Sequence, residues 1–182
     1  MNSTPQFSLF HTSLGNCGIA WQNDVVVATS LPESSDALTV ARLMVKVDAK
    51  AGEPPSHIQR AIALITALLE GEKVDLSGIE CDFSGIDSLA KSIYDATRTI
   101  PPGETLSYGA VAAKIGNKKL AQHVGRVLGQ NPLPIIVPCH RVIGVDGKLT
   151  GFSAHGGTKT KLNMLLIEGN QIGITQGLFD DL

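Results

Sequence analysis

Short apolar alternations open the chain. Phe7 to Thr12 alternates apolar and polar side chains, Cys17 to Trp21 follows a Leu-Gly-Asn turn, and Val25 to Thr29 follows Gln22-Asn23-Asp24. Period-two alternation punctuated by turn residues predicts a small antiparallel meander. The period then changes. Leu38, Ala41, Met44 and Val45 within 35–47, and Ile58, Ile62, Ile65 and Leu69 within 57–69, fall on helical stripes that can cover one face of the sheet. Residues 71–87 mix acids, glycines and short apolar pieces, and no stripe resumes before Ser88, so a domain boundary is expected near residue 85.

Beyond that point a helix is expected over 88–100, with Leu89, Ile93 and Ala96 in register and Pro101-Pro102-Gly103 as its stop. A short helix over 105–115 has Ser107 as its N-cap, Gly116-Asn117 marks a turn, and a second helix runs over 118–129 with Val124 and Leu128 on its apolar side. Two short helices joined by a Gly-containing turn suggest a helix-turn-helix. Ile135 to Val137, short and β-branched, reads as a buried extended segment that delivers Cys139 at its end. Asp146-Gly147 is a turn, 151–157 a Gly-rich loop, 159–167 a final amphipathic helix ended by Glu168-Gly169, and 171–182 a peripheral strand and tail.

Charge sharpens this division. The net charge is only −2, but residues 104–163 carry eight basic side chains against two acidic ones, while residues 1–103 carry seven against twelve. A positive island in an acidic chain fits a local polyanion-binding face and excludes an all-over basic coat. No apolar run approaches the roughly 20 residues a membrane helix needs, so no membrane partner is expected and the cytoplasm is the expected location. Size and charge are compatible with a monomer.

Three cysteines, Cys17, Cys81 and Cys139, form neither a disulfide framework nor a paired metal-ligand pattern. Cys17 and Cys81 lie in apolar patches and read as structural thiols. His11 with Cys17 is too little for zinc. Cys139 differs because His140 and Arg141 follow it directly: a base to take the thiol proton, and a positive group to favour the thiolate or anchor the segment. Glu168, at the end of the last helix, is placed to orient the histidine as a third group.

Asn131-Pro132, then Pro138-Cys139-His140-Arg141-Val142, resembles the active-site signature of the O6-alkylguanine-DNA alkyltransferases, also called methylated-DNA–protein-cysteine methyltransferases. The resemblance covers residues 85–170 well and the first part of the chain more loosely. It implies an α/β protein with a small ribonuclease-H-like N-terminal domain (1–85) and a mainly helical DNA-binding domain with a helix-turn-helix (86–170). It also implies irreversible, stoichiometric transfer of an alkyl group from O6-alkylguanine, with O4-alkylthymine as a second lesion, in duplex DNA after base flipping. Carried over by position, Cys139 is the acceptor, His140 its water-linked base, Glu168 the carboxylate of the relay and Asn131 a hinge. Tyr108 resembles the tyrosine that contacts the flipped guanine. Gln122, Arg126, Leu128, Arg141, Val142, Phe152 and Ser153 are the expected substrate- and DNA-binding residues. No metal or organic cofactor is implied.

Two features depart from the family pattern. Gln122 stands where the family commonly has an arginine that fills the gap left by the extruded nucleotide, and glutamine lacks that charge and planar fork. The loop Ser153-Ala154-His155-Gly156-Gly157 is about two residues longer than the common pattern, leaving His155 without a role. A non-transferring sensor of alkylated bases that recruits other repair factors is the alternative reading; the retained Cys139 disfavours it. A cysteine hydrolase using Cys139 and His140 lacks an evident oxyanion loop.

Overall fold

In a computed structural model of the chain, residues 3–171 are described. The strand and tail expected over 171–182 therefore lie outside the described residues, apart from residue 171. The fold is mixed α/β, with a four-stranded sheet, a two-stranded ladder and six α-helices among the described residues.

The meander forms as its alternation predicts. Strands β1 (Gln6–Thr12), β2 (Gly15–Gln22) and β3 (Val25–Ser30) pair antiparallel in sequence, and the turn between β2 and β3 is made by Asn23 and Asp24, both at positive φ. Asn and Asp tolerate that region better than other side chains, which is why this pair turns the hairpin. β4 (Lys50–Ala51) joins β1 in parallel, giving the order β3-β2-β1-β4. Two residues are too few to leave a periodic trace, and sequence reading missed this strand.

The helices α1 (Asp36–Met44) and α2 (Ser56–Leu69) do not share a face of the sheet. Ile58, Ala61, Ile65 and Leu68 of α2 share a core with Cys17, Ile19 and Trp21, whereas Leu43 of α1 packs with Ala20 and Ala28. Successive residues of β2 point to opposite sides, so a central strand covered on both faces reads as a continuous apolar run. At Gly18 an added Cβ would stand 3.2 Å from the Leu43 side chain, so the glycine lets α1 approach.

Asp87 caps α3 (Ser88–Arg98) through bonds from the Leu89 and Ala90 amides, and Ser107 caps α4 (Tyr108–Lys114) through the Ala110 amide. Asn117 then opens a 3-10 turn (Lys118–Leu120) leading into α5 (Ala121–Gly129). The expected helix over 105–115 is thus shorter, because Leu106–Ser107 forms β5 and pairs in parallel with β6 (Val142–Ile143). The Tyr94 ring stacks on Phe83, with centroids 5.9 Å apart. Its hydroxyl donates to the Val127 carbonyl at 3.1 Å, which also joins α3 to α5. The last helix is α6 (Thr158–Ile167).

The outer edge of β3 positions the site. Val26 exchanges backbone bonds with Glu80 and Asp82, and further along Thr29 donates its amide to Pro132 at 3.0 Å. The exposed strand edge, otherwise a template for aggregation, is covered by these two segments. One apolar core runs from Cys17 and Ile19 through Ile93 and Val124 to Val137, Val142 and Met164. Among the described residues no helix is long and apolar enough to cross a membrane.

Candidate active site around Cys139

The segment before the cysteine is a tight buried turn, not the extended run expected for 135–137. The Val137 amide donates back to the Leu133 carbonyl at 2.8 Å, and Ile135 sits at φ 77°. Positive φ is costly for a β-branched residue, on the order of 1–3 kcal/mol, and Ile135, 1% exposed, is held there by the packing around it. Asn131 staples the turn from inside: its Nδ2 donates to the Val137 carbonyl and its Oδ1 accepts the Leu133 amide, both at 2.9 Å. Cys139 then opens a 3-10 turn (Cys139–Arg141), so three consecutive side chains diverge around a helical turn.

His140 is completely buried, with Nε2 2.7 Å from Glu168 Oε1. Burial alone would raise the Glu168 carboxyl, but His140 and Arg141 bond and charge it strongly enough to hold it at about 2. A carboxylate only accepts, so Nε2 carries the hydrogen and the lone pair lies on Nδ1. That Nδ1 has no hydrogen-bond partner among the described residues. Burial lowers the His140 pKa despite the bond to Glu168, so the ring is neutral at pH 7 and can act as a base.

Arg141 is not on a nucleic-acid face. It is 5% exposed and grips both oxygens of Glu168, Nε to Oε2 at 2.9 Å and Nη2 to Oε1 at 2.8 Å, with Nη1 on the Ile100 carbonyl. Of its two readings, anchoring the segment is the one this geometry supports. The expected contact with DNA is corrected, since its donors are spent inside. Val142 is likewise a core side chain, and its carbonyl accepts Lys161 Nζ at 2.6 Å. Lys161 is the residue that sequence reading missed here. Its ammonium is buried against the Val142 and Thr150 carbonyls and lies 3.5 Å from the Tyr108 hydroxyl. Burial lowers its pKa to about 8, and Cys139 pulls it back up. A signal existed: Lys161, Met164, Leu165 and Glu168 have helical i, i+3, i+4, i+7 spacing, and the structure buries all four.

A cavity of about 560 Å³ opens at Cys139, lined by Leu128, Asn131, Phe152 and Ser153 and also by Arg42 and Lys46 from the N-terminal half. The long loop is docked on that half: Arg42 Nη2 donates to the Ser153 carbonyl and Nε pairs with Glu33 at 3.4 Å, while His155 Nδ1 lies 3.5 Å from the same Glu33. Gln122 and Arg126 are exposed on α5 beside Lys118 and Lys119, and none of these lines the cavity. Tyr108, at the start of α4, donates to the Thr150 carbonyl at 3.4 Å. Two of the eight basic groups of the positive island, Arg141 and Lys161, are therefore internal.

The sulfur itself differs from expectation. Burial raises the Cys139 thiol above its ordinary pKa, and the opposing effects of Asn131, Lys161 and Lys46 only partly offset this. At rest the group is a thiol. Its reaction with iodoacetamide, read on the Cys139 peptide, should therefore climb with pH by up to about tenfold per unit between about pH 6 and 8. A rate already flat over that range would mean a preformed thiolate. Burial holds Cys17 and Cys81 at about 11 each, and neither lies in this cavity.

Comparison with known proteins places this arrangement. The family model described as 6-O-methylguanine DNA methyltransferase, DNA binding domain, matches residues 88–170. The methylated-DNA–protein-cysteine methyltransferase of Mycobacterium tuberculosis (strain ATCC 25618 / H37Rv) is 40% identical over 126 residues, covering 69% of this chain and 74% of that protein. Its namesake from Methanothermobacter thermautotrophicus is 34% identical over 152 residues, covering 84% and 78%. The crystal structure of Mycobacterium tuberculosis OGT in complex with DNA superposes with a TM-score of 0.70 at 31% identity, over 96% of this chain and 99% of that one. A mixed α/β fold that presents a cysteine in a cavity beside a buried His-Glu-Arg cluster is thus a protein-cysteine alkyl acceptor by class. The chain belongs to the methylated-DNA–protein-cysteine methyltransferase family.

Proposed function

We propose that this protein repairs O6-alkylguanine, and O4-alkylthymine as a second lesion, in duplex DNA by a single irreversible alkyl transfer to Cys139. The observation that carries the reading is the placement of Cys139 on a cavity immediately before His140, whose ring is locked by Glu168 with its basic nitrogen left over. A base inside a duplex is out of reach of a thiol, so the damaged nucleotide is rotated out of the stack at a cost of a few kcal/mol. The pair α4 and α5 acts as a helix-turn-helix, with Lys118, Lys119 and Arg126 on phosphates and Gln122 at the vacated stack. The first 85 residues form a ribonuclease-H-like domain and 86–170 the DNA-binding domain. The protein acts as a cytoplasmic monomer.

In the reaction, His140 Nδ1 takes the thiol proton through a water, Glu168 stabilises the resulting imidazolium, and the sulfur attacks the alkyl carbon. The carbon–O6 bond breaks with its electron pair passing into the base, which takes up a proton at N1. Restored guanine and S-alkyl-Cys139 remain. No group in this scheme removes the alkyl from sulfur, so the protein is consumed. Titration with excess O6-methylguanine duplex should accordingly stop at one methyl group per protein molecule. Continued turnover would overturn the stoichiometric scheme, and binding without transfer would favour the sensor.

Gln122 limits flipping in this reading, since its neutral amide fills the stack less well than a guanidinium. Single-turnover transfer should accelerate severalfold in Gln122→Arg. An unchanged rate would remove Gln122 as the limiting element.

A further inference from the structure

The turn that carries Cys139 is held from outside as well as by Asn131. Pro132 and Pro134 have no N–H, so this stretch offers the edge of β3 only carbonyls, and the edge must answer with donors. Thr29 gives its amide to the Pro132 carbonyl at 3.0 Å and its hydroxyl to the Pro134 carbonyl at 2.7 Å. Lys46, just past the end of α1, sends its ammonium to the Thr29 carbonyl at 2.7 Å and reaches the Pro132 carbonyl at 3.5 Å.

Lys46 also lines the cavity onto which Cys139 opens. The other cation of that lining, Arg42, is engaged by Glu33 and the Ser153 carbonyl. Lys46 forms no ion pair with a carboxylate among the described residues, so its charge rests on backbone carbonyls at the wall of the cavity onto which Cys139 opens. We propose that Lys46 is a positioning residue for the transfer: it clamps the Asn131–Pro134 turn to the sheet and brings a positive charge to the cavity where Cys139 loses its proton. This inference rests on Cys139 being the alkyl acceptor. It gives the N-terminal half a direct part in the chemistry of the other half.

The electrostatics agree with the geometry. Burial, and then Arg42, lower the Lys46 pKa to about 8, and Cys139 draws it back up, so the side chain is predominantly charged at pH 7. The other titratable groups acting on or beside Cys139 are Lys161 of α6, Tyr94 of α3, whose own pKa burial raises to about 12, and its chain neighbour His140. Lys46 and Lys161 both favour the anion, and removing one leaves the other.

Lys46→Met keeps the stem and deletes the charge and its donors; Lys46→Arg keeps both. Single-turnover methyl transfer from an O6-methylguanine duplex, followed against pH, should be about tenfold slower at pH 7 in Lys46→Met, with the profile moved up by about one unit. Duplex affinity should not change, and Lys46→Arg should recover most of the rate. If Lys46→Met does not fold, judged by its melting curve, Thr29→Val reads the clamp alone through loss of the Pro134 bond, with transfer expected to fall severalfold. An unaffected rate and profile in Lys46→Met, or in Thr29→Val where that variant stands in, overturns the proposal. A wild type that accepts no methyl group overturns the Cys139 reading as well, so the two failures are distinguishable.

Discussion

Glu168→Gln should melt roughly 6–12 °C below wild type, corresponding to a loss of about 3 kcal/mol or more in a chain of this size. The carboxylate receives Nε and Nη2 of Arg141, Nε2 of His140 and, at 3.3 Å, the Gly103 amide. An amide in its place leaves the Arg141 guanidinium, 5% exposed, without a counter-charge, and breaking one side of a buried pair costs far more than the pair contributes net. Transfer should slow at least tenfold as well, because the His140 tautomer is no longer fixed. The pH signature follows from the carboxyl held at about 2 in the folded protein against an ordinary 4.5. A depressed carboxyl adds stability above its unfolded pKa and loses it as pH falls toward the folded value. Wild type should therefore lose stability between about pH 4.5 and 2 through this group, and Glu168→Gln should show a flatter decline there. Equal melting temperatures at pH 7 would contradict the buried cluster.

Asn131→Ala should be nearly as damaging to transfer but for a different reason. Its two bonds, to the Val137 carbonyl and the Leu133 amide, close the turn that presents Cys139, and the side chain works against burial by lowering the thiol's pKa. Removing it leaves buried backbone groups unpaired at about 1–3 kcal/mol each, and frees a turn that already carries Ile135 at positive φ. Loss of stability of roughly 2–4 kcal/mol is expected, with transfer falling at least tenfold while duplex binding persists. A stable variant that transfers at the wild-type rate would show that the hinge does not position the sulfur.

Much of the fold was legible because periodicity survives wherever an element has one buried face. The meander, the caps Ser107 and Gly169 and the long helices follow that rule, and the two-residue strands β4, β5 and β6 are too short to obey it. Ile135-Ile136-Val137 misled for a physical reason: β-branched residues favour extended backbone locally, and here Asn131, two prolines and packing impose a turn instead. At the site, the string around Cys139 pointed to the reacting atoms, and Glu168 was placed correctly beside His140. The lysines were not legible in the same way. A lysine reads as surface, yet Lys161 and Lys46 bury their ammonium groups on carbonyls whose positions only tertiary structure supplies. Arg141 was misplaced only by the carried-over DNA contact; the anchoring role read from its position beside Cys139 is the one its internal ion pair with Glu168 fits.

The central claim is that one sulfur takes the alkyl group. Intact-mass and peptide analysis after incubation with an O6-methylguanine duplex tests it most directly, with Cys139→Ser as control. The account requires a gain of one methylene on the Cys139 peptide and none in Cys139→Ser. A wild-type protein that binds the duplex yet keeps its original mass, or a methyl group found on Cys17 or Cys81 instead, would contradict it.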